Sequence, residues 1–189
     1  MKDAIREGLE EHRRVAESLA AAMAESIERA AGMILDTYRR GGKVLIMGNG
    51  GSAADAQHFA AELVGRYRRE RRALPAIALT TDTSILTSVS NDYGYADVFK
   101  RQVEAHAGPG DLVVGISTSG KSESVLAALR KAREMNLYST GMTGRSGHAL
   151  AALTTHCVMV DSDDTPRIQE AHILAGHIIC ELVERELFP

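Results

Sequence analysis

Beyond Gly41-Gly42 the chain alternates short apolar runs with helical patterns, and this alternation limits the fold more than any other feature of the sequence. The runs are Val44–Met47, Ala76–Leu79, Leu112–Ile116, Ser139–Met142 and Cys157–Val160, rich in Val, Ile and Leu. Helical patterns are clearest over Ser52–Arg66, Ser122–Glu134 and Thr165–Leu187, and a shorter one covers Asp82–Ser90. Strands that are apolar at every position are buried on both faces, so the pattern predicts a parallel α/β sheet between two helical layers. In such folds ligands bind at the carboxyl ends of the strands. The strand-to-helix loops are therefore where function is sought.

The first forty residues read as helix. Ile5, Leu9, His12, Ala16, Leu19 and Met23 alternate spacings of four and three, and Ile27, Ala30 and Ile34 resume the pattern, with Ser26 as a candidate break. The apolar seam can cover the chain's own sheet or another chain; the expectation is a helical oligomerisation segment over residues 1–40 and the α/β domain over 41–189. Aromatics are only 4%, so the core rests on aliphatic side chains. Twenty-two basic against 25 acidic residues give a net charge of −3, which argues against a nucleic-acid partner. No apolar run approaches the roughly 18 residues of a membrane span, and the first residues lack a signal-peptide stretch. With Cys157 and Cys180 in apolar surroundings as reduced thiols, the expected location is the cytoplasm.

Two loops carry anion-binding chemistry. The first is Gly48-Asn49-Gly50-Gly51-Ser52, whose glycines admit close approach to a helix N-terminus, with Ser52 and Asp55 at capping-box spacing. Gly48, Gly50 and Ala53 also match the dinucleotide fingerprint, but the acidic residue expected about 20 positions later is missing, Asp82 lying too far on. The second loop, Ser117-Thr118-Ser119-Gly120-Lys121-Ser122, sets four hydroxyls before another helix. It is not a Walker A loop, because Ile116 stands where that motif needs glycine. Capping needs one serine, and four favour a ligand. A phosphorylated small molecule fits both loops better than a dinucleotide.

His58 and Glu62 lie one turn apart on the helix after the first loop, suited to divalent metal or to acid–base work. The last helix carries Gln169, His172 and His177 among apolar residues, and helix geometry does not choose between the two histidines. Asn91 and Asp92 could contact a polyol. Arg66, Arg68, Arg69, Arg71 and Arg72, with Glu70 between, read as a solvated edge.

In combination, Gly48-Asn49-Gly50-Gly51-Ser52, His58 to Glu62, Ser117-Thr118-Ser119-Gly120 and Arg167-Ile168-Gln169-Glu170 resemble the phosphoheptose isomerases of the sugar isomerase (SIS) domain superfamily, over nearly the whole chain. The resemblance implies a three-layer sandwich around a five-stranded parallel sheet, plus N-terminal helices, assembled as a homotetramer with active sites between subunits. It implies conversion of sedoheptulose 7-phosphate to D-glycero-D-manno-heptose 7-phosphate, the first step of bacterial heptose synthesis for lipopolysaccharide or related glycans. Carried over, Glu62 is the base and His177 its acid–base partner. Ser117, Thr118, Ser119 and Ser122 match the phosphate loop, and Asn49, Gly50, Gly51, Ser52, Asn91, Asp92 and Gln169 the remaining substrate contacts. In zinc-binding members the matching ligands are His58, Glu62, Gln169 and His177. Gln169 and His177 are eight residues apart, about 12 Å along a helix, so joint ligation needs opposed reach or two subunits. The chain also resembles a non-enzymatic relative that binds the initiator of chromosome replication, but Glu62 and His177 favour catalysis. A nucleotide-dependent oxidoreductase would leave the serine-rich loop without a role.

Overall fold

The computed structural model describes the backbone of residues 1–189 and the side chains of all but Ala21 and Ala22. Five strands, β1 (Val44–Gly48), β2 (Ala76–Ala78), β3 (Leu112–Ser117), β4 (Tyr138–Gly144) and β5 (His156–Val160), form one parallel sheet in the order β2-β1-β3-β4-β5. Each strand falls on one of the five apolar runs. The helices are α1 (Lys2–Ala22), α2 (Ala24–Arg39), α3 (Gly51–Val64), α4 (Thr83–Tyr93), α5 (Val98–His106), α6 (Glu123–Glu134), α7 (His148–Ala151) and α8 (Thr165–Leu187), with one 3₁₀ turn at Tyr95–Asp97.

β1 shows why continuous apolar strands imply two covered faces. Val44 and Ile46 enter a core shared with α2, α3 and α8, whereas Leu45 and Met47 enter a second core with Phe99, Val125 and Leu129. The strand order reverses direction between β1 and β3, which opens a crevice at their carboxyl ends. Both anion-type loops begin there.

The second part of the N-terminal seam covers the chain's own sheet. Ile27, Ala30 and Ile34 of α2 are buried against the chain's own sheet, while Ile5 and Leu9 of α1 are 62% and 65% exposed. The break between the helices falls at Met23 instead of Ser26, whose hydroxyl is engaged by His156 Nε2 at 3.1 Å. The capping box at Ser52 does not form: α3 starts at Gly51, and Gly50, at φ +56°, serves as its N-cap with no side-chain hydrogen bond. A left-handed residue made the turn, so no cap was required.

Candidate active site

The first loop and the serine-rich loop face each other across the crevice. Asn49, Ser52, Ile116, Ser117, Thr118, Ser119, Ser122 and Gln169 line a polar pocket of about 150 Å³. Asn49 is the strut between the loops: its Nδ2 donates to Ser122 Oγ at 2.6 Å and to Ser124 Oγ at 3.0 Å. Tyr95 donates its hydroxyl to Asn49 Oδ1 at 2.7 Å. Ser122 is the N-cap of α6 but makes no side-chain cap, so its hydroxyl serves the pocket and not the helix. Ser119 Oγ accepts from the Lys121 N–H at 3.2 Å. The N-termini of α3 and α6 leave amide donors at this end of the sheet, and a partial positive charge with them. Such a pocket can hold a phosphate without a fixed cation.

One turn or more along α3 the chemistry changes. His58 Nε2 lies 2.8 Å from His177 Nε2 and 3.3 Å from Glu62 Oε1. The ligand atoms of these three residues all fall within 4.8 Å of one another. Two imidazole nitrogens and a carboxylate that converge in this way match the N/O donor set of a divalent metal site. The same arrangement is also suited to acid–base work. On α8 it is His177 that joins this cluster; His172 is buried with both ring nitrogens unpartnered. Gln169 lies nearer the start of α8, its amide packed so tightly over Gly51 that a Cβ there would collide with it.

Asp55, read from the sequence only as a cap, also belongs to this region. Its Oδ2 is buried without a partner, and burial pushes the carboxyl up to about 6 against the opposing pull of His58.

Comparison with known proteins shows the family. The SIS domain family model matches residues 9–144. A phosphoheptose isomerase of Geobacter sp. (strain M21) is 55% identical over 188 residues, 100% of this chain and 98% of that relative. One from Roseiflexus sp. (strain RS-1) is 56% identical over 186 residues, 98% and 92% of the two chains. The chain belongs to the phosphoheptose isomerases. The solved structure of the Neisseria gonorrhoeae phosphoheptose isomerase superposes with a TM-score of 0.92 at 41% identity, covering 97% of this chain and 98% of that one. The protein is thus an isomerase of a phosphorylated sugar with the SIS fold.

Among phosphoheptose isomerase residues named from the sequence, Asn91 and Asp92 stand apart. They lie inside α4, which runs on to Tyr93, and both are exposed, Asn91 Nδ2 donating to Asp92 at 2.9 Å. The arginine run is not simply a solvated edge: Arg71 is buried and paired with Glu184. A charge run carries no sign of which member turns inward, because the partner is over a hundred residues away. Tyr95 and Ser124 were also missed; neither sits in a loop with a recognisable pattern. α8 starts at Thr165, where the helical pattern begins, with Asp164 as its N-cap.

Proposed function

We propose that this isomerase interconverts sedoheptulose 7-phosphate and D-glycero-D-manno-heptose 7-phosphate through an enediol, as the first step of bacterial heptose biosynthesis. The observation that carries the reading is the His58/Glu62/His177 cluster beside the hydroxyl-lined pocket. Glu62 takes the proton from C1 of the ketose while the C2 oxygen gains one, giving the enediol. The same carboxylate returns a proton to C2 as the C1 hydroxyl loses its own, leaving the aldose with no net proton change. His177 moves the protons between the two oxygens, a task suited to imidazole near neutral pH. Ser117, Thr118, Ser119 and Ser122 hold the phosphate, with the amides of Gly50, Gly51 and Ser52. Asn49, Asn91, Asp92 and Gln169 contact the polyol.

His58, Glu62 and His177, with Gln169 as the further ligand, would hold one zinc ion per subunit. The chemistry that zinc supplies when bound is stabilisation of negative charge on the sugar's oxygens. The working assembly is a homotetramer in the cytoplasm, with residues 1–40 as its oligomerisation segment. Support comes from the exposed apolar residues of α1 and from the two free thiols, Cys157 and Cys180. Among the described residues no helix is long and apolar enough to cross a membrane.

An assay of sedoheptulose 7-phosphate turnover in heavy water tests the reading. Wild type is expected to incorporate deuterium at the isomerising carbons. Glu62→Gln and His177→Ala are expected to lose at least ~100-fold in kcat. Full activity in Glu62→Gln would sink its role as base. Elemental analysis with turnover after chelation tests zinc: metal-free protein with chelator-resistant activity removes that part alone.

A further inference from the structure

The segment between α3 and β2 is rich in arginine yet is gripped from inside. Glu184, on α8, turns its carboxylate into it. Oε1 accepts from the Tyr67 N–H at 2.7 Å, and Oε2 from the N–H groups of Arg68 at 2.8 Å and Arg69 at 3.0 Å. Consecutive amides of this kind form an anion-binding nest. Arg71 closes on the same carboxylate, its Nε donating to Oε1 at 2.9 Å. The two side chains are only 1% and 2% exposed.

The guanidinium then reaches the end of α3. Its Nη2 donates to the Glu62 carbonyl at 2.7 Å and its Nη1 to the Leu63 carbonyl at 2.9 Å. Helices leave their last carbonyls without intrahelical partners. Here a buried cation satisfies them at the very residue read as the base. Glu184 stands seven residues beyond His177, about two turns along α8 and on nearly the same face. Between the two levels, the Tyr67 ring lies tilted over the His177 imidazole, centroids 5.5 Å apart and planes at 30°. The backbone of Tyr67 is the part that Glu184 holds. One ion pair therefore joins the two helices that carry Glu62 and His177, and sets the ring that packs on the imidazole.

We propose that Tyr67, Arg71 and Glu184 are positioning residues for the isomerisation. The ion pair fixes the Tyr67 segment, and the Tyr67 ring holds the His177 imidazole facing His58 and Glu62. The inference rests on the reading of Glu62 and His177 as the acid–base pair.

The test measures kcat and KM, with a thermal melt, for Tyr67→Phe, Tyr67→Ala, Glu184→Gln and the double variant Tyr67→Ala/Glu184→Gln. Glu62→Gln and His177→Ala are run alongside. Tyr67→Ala is expected to lose at least ~10-fold in kcat with KM changed less than about twofold, and Tyr67→Phe, which keeps the ring, to restore kcat. Because Glu184 acts through Tyr67, adding Glu184→Gln to Tyr67→Ala lowers kcat no further. Multiplied losses in the double variant, or wild-type kcat in Tyr67→Ala, overturn the proposal. Tyr67 is only partly buried, so its alanine variant decides the matter even where Glu184→Gln does not fold. Full turnover in both Glu62→Gln and His177→Ala would instead remove the acid–base reading beneath it. Inactive Glu62→Gln and His177→Ala beside a fully active Tyr67→Ala would sink positioning alone.

Discussion

His172 is 1% exposed, and neither ring nitrogen makes a hydrogen bond. Burial pulls its pKa down to about 4, offset only in part by the nearby Thr143 backbone. Staying neutral avoids the larger cost of burying a charge at this position. In the unfolded chain the same imidazole titrates near 6.5, so between about pH 6.5 and pH 4 the unfolded state binds more protons. The stability tied to this group is full above about pH 6.5 and falls as pH drops toward 4, by about 3 kcal/mol over that window. Urea unfolding at pH 7.5 and at pH 5 should show the loss in wild type. His172→Leu should show a smaller one. An unchanged pH dependence in His172→Leu would assign the acid sensitivity to another group.

At the scale of elements, the pocket depends on two loops held in register by one amide. Asn49 leaves β1 and binds Ser122 and Ser124 at the start of α6, while Tyr95 steadies its carbonyl. Asn49→Ala removes all three bonds without opening the core, since Asn49 is only partly buried. It is expected to raise KM for the sugar phosphate about tenfold, equivalent to about 1.4 kcal/mol, with the melting temperature little changed. A wild-type KM would show that the loops keep register without the strut. The strands and the two loops were legible because burial on both faces writes itself as an unbroken apolar run, and because a tight turn at a helix start demands glycine. Helix ends were less legible. Gly50 replaced the expected Ser52 cap by a left-handed turn, so α3 starts one residue earlier, at Gly51. The pairing of His58 with His177 and of Arg71 with Glu184 was not readable from spacing, because each joins α8 to α3 or its following segment across more than a hundred residues. A resemblance to a family named His177; periodicity alone left it level with His172.

For the whole molecule, apolar surface is the feature that a single chain leaves unused. Ile5 and Leu9 project from α1 at 62% and 65% exposure. Farther along α1, a groove of about 340 Å³ lies between α1, α2 and α8, lined by Leu19, Ile27, Leu174, Ile178 and Leu182 among others. On the opposite side α4 packs Leu86 and Val89 only partly against the second core and ends at Tyr93, 59% exposed. Exposed apolar side chains that gather on one face mark interaction sites on folded proteins. The homotetramer proposed above would cover such surface with copies of the same chain. Light scattering of the purified protein should therefore give the mass of four chains. Ile5→Asp combined with Leu9→Asp charges the seam and should yield smaller species, with turnover falling in step with the loss of tetramer. A monomer with undiminished kcat would mean that one chain holds a complete active site, and that the exposed seam serves something other than catalysis.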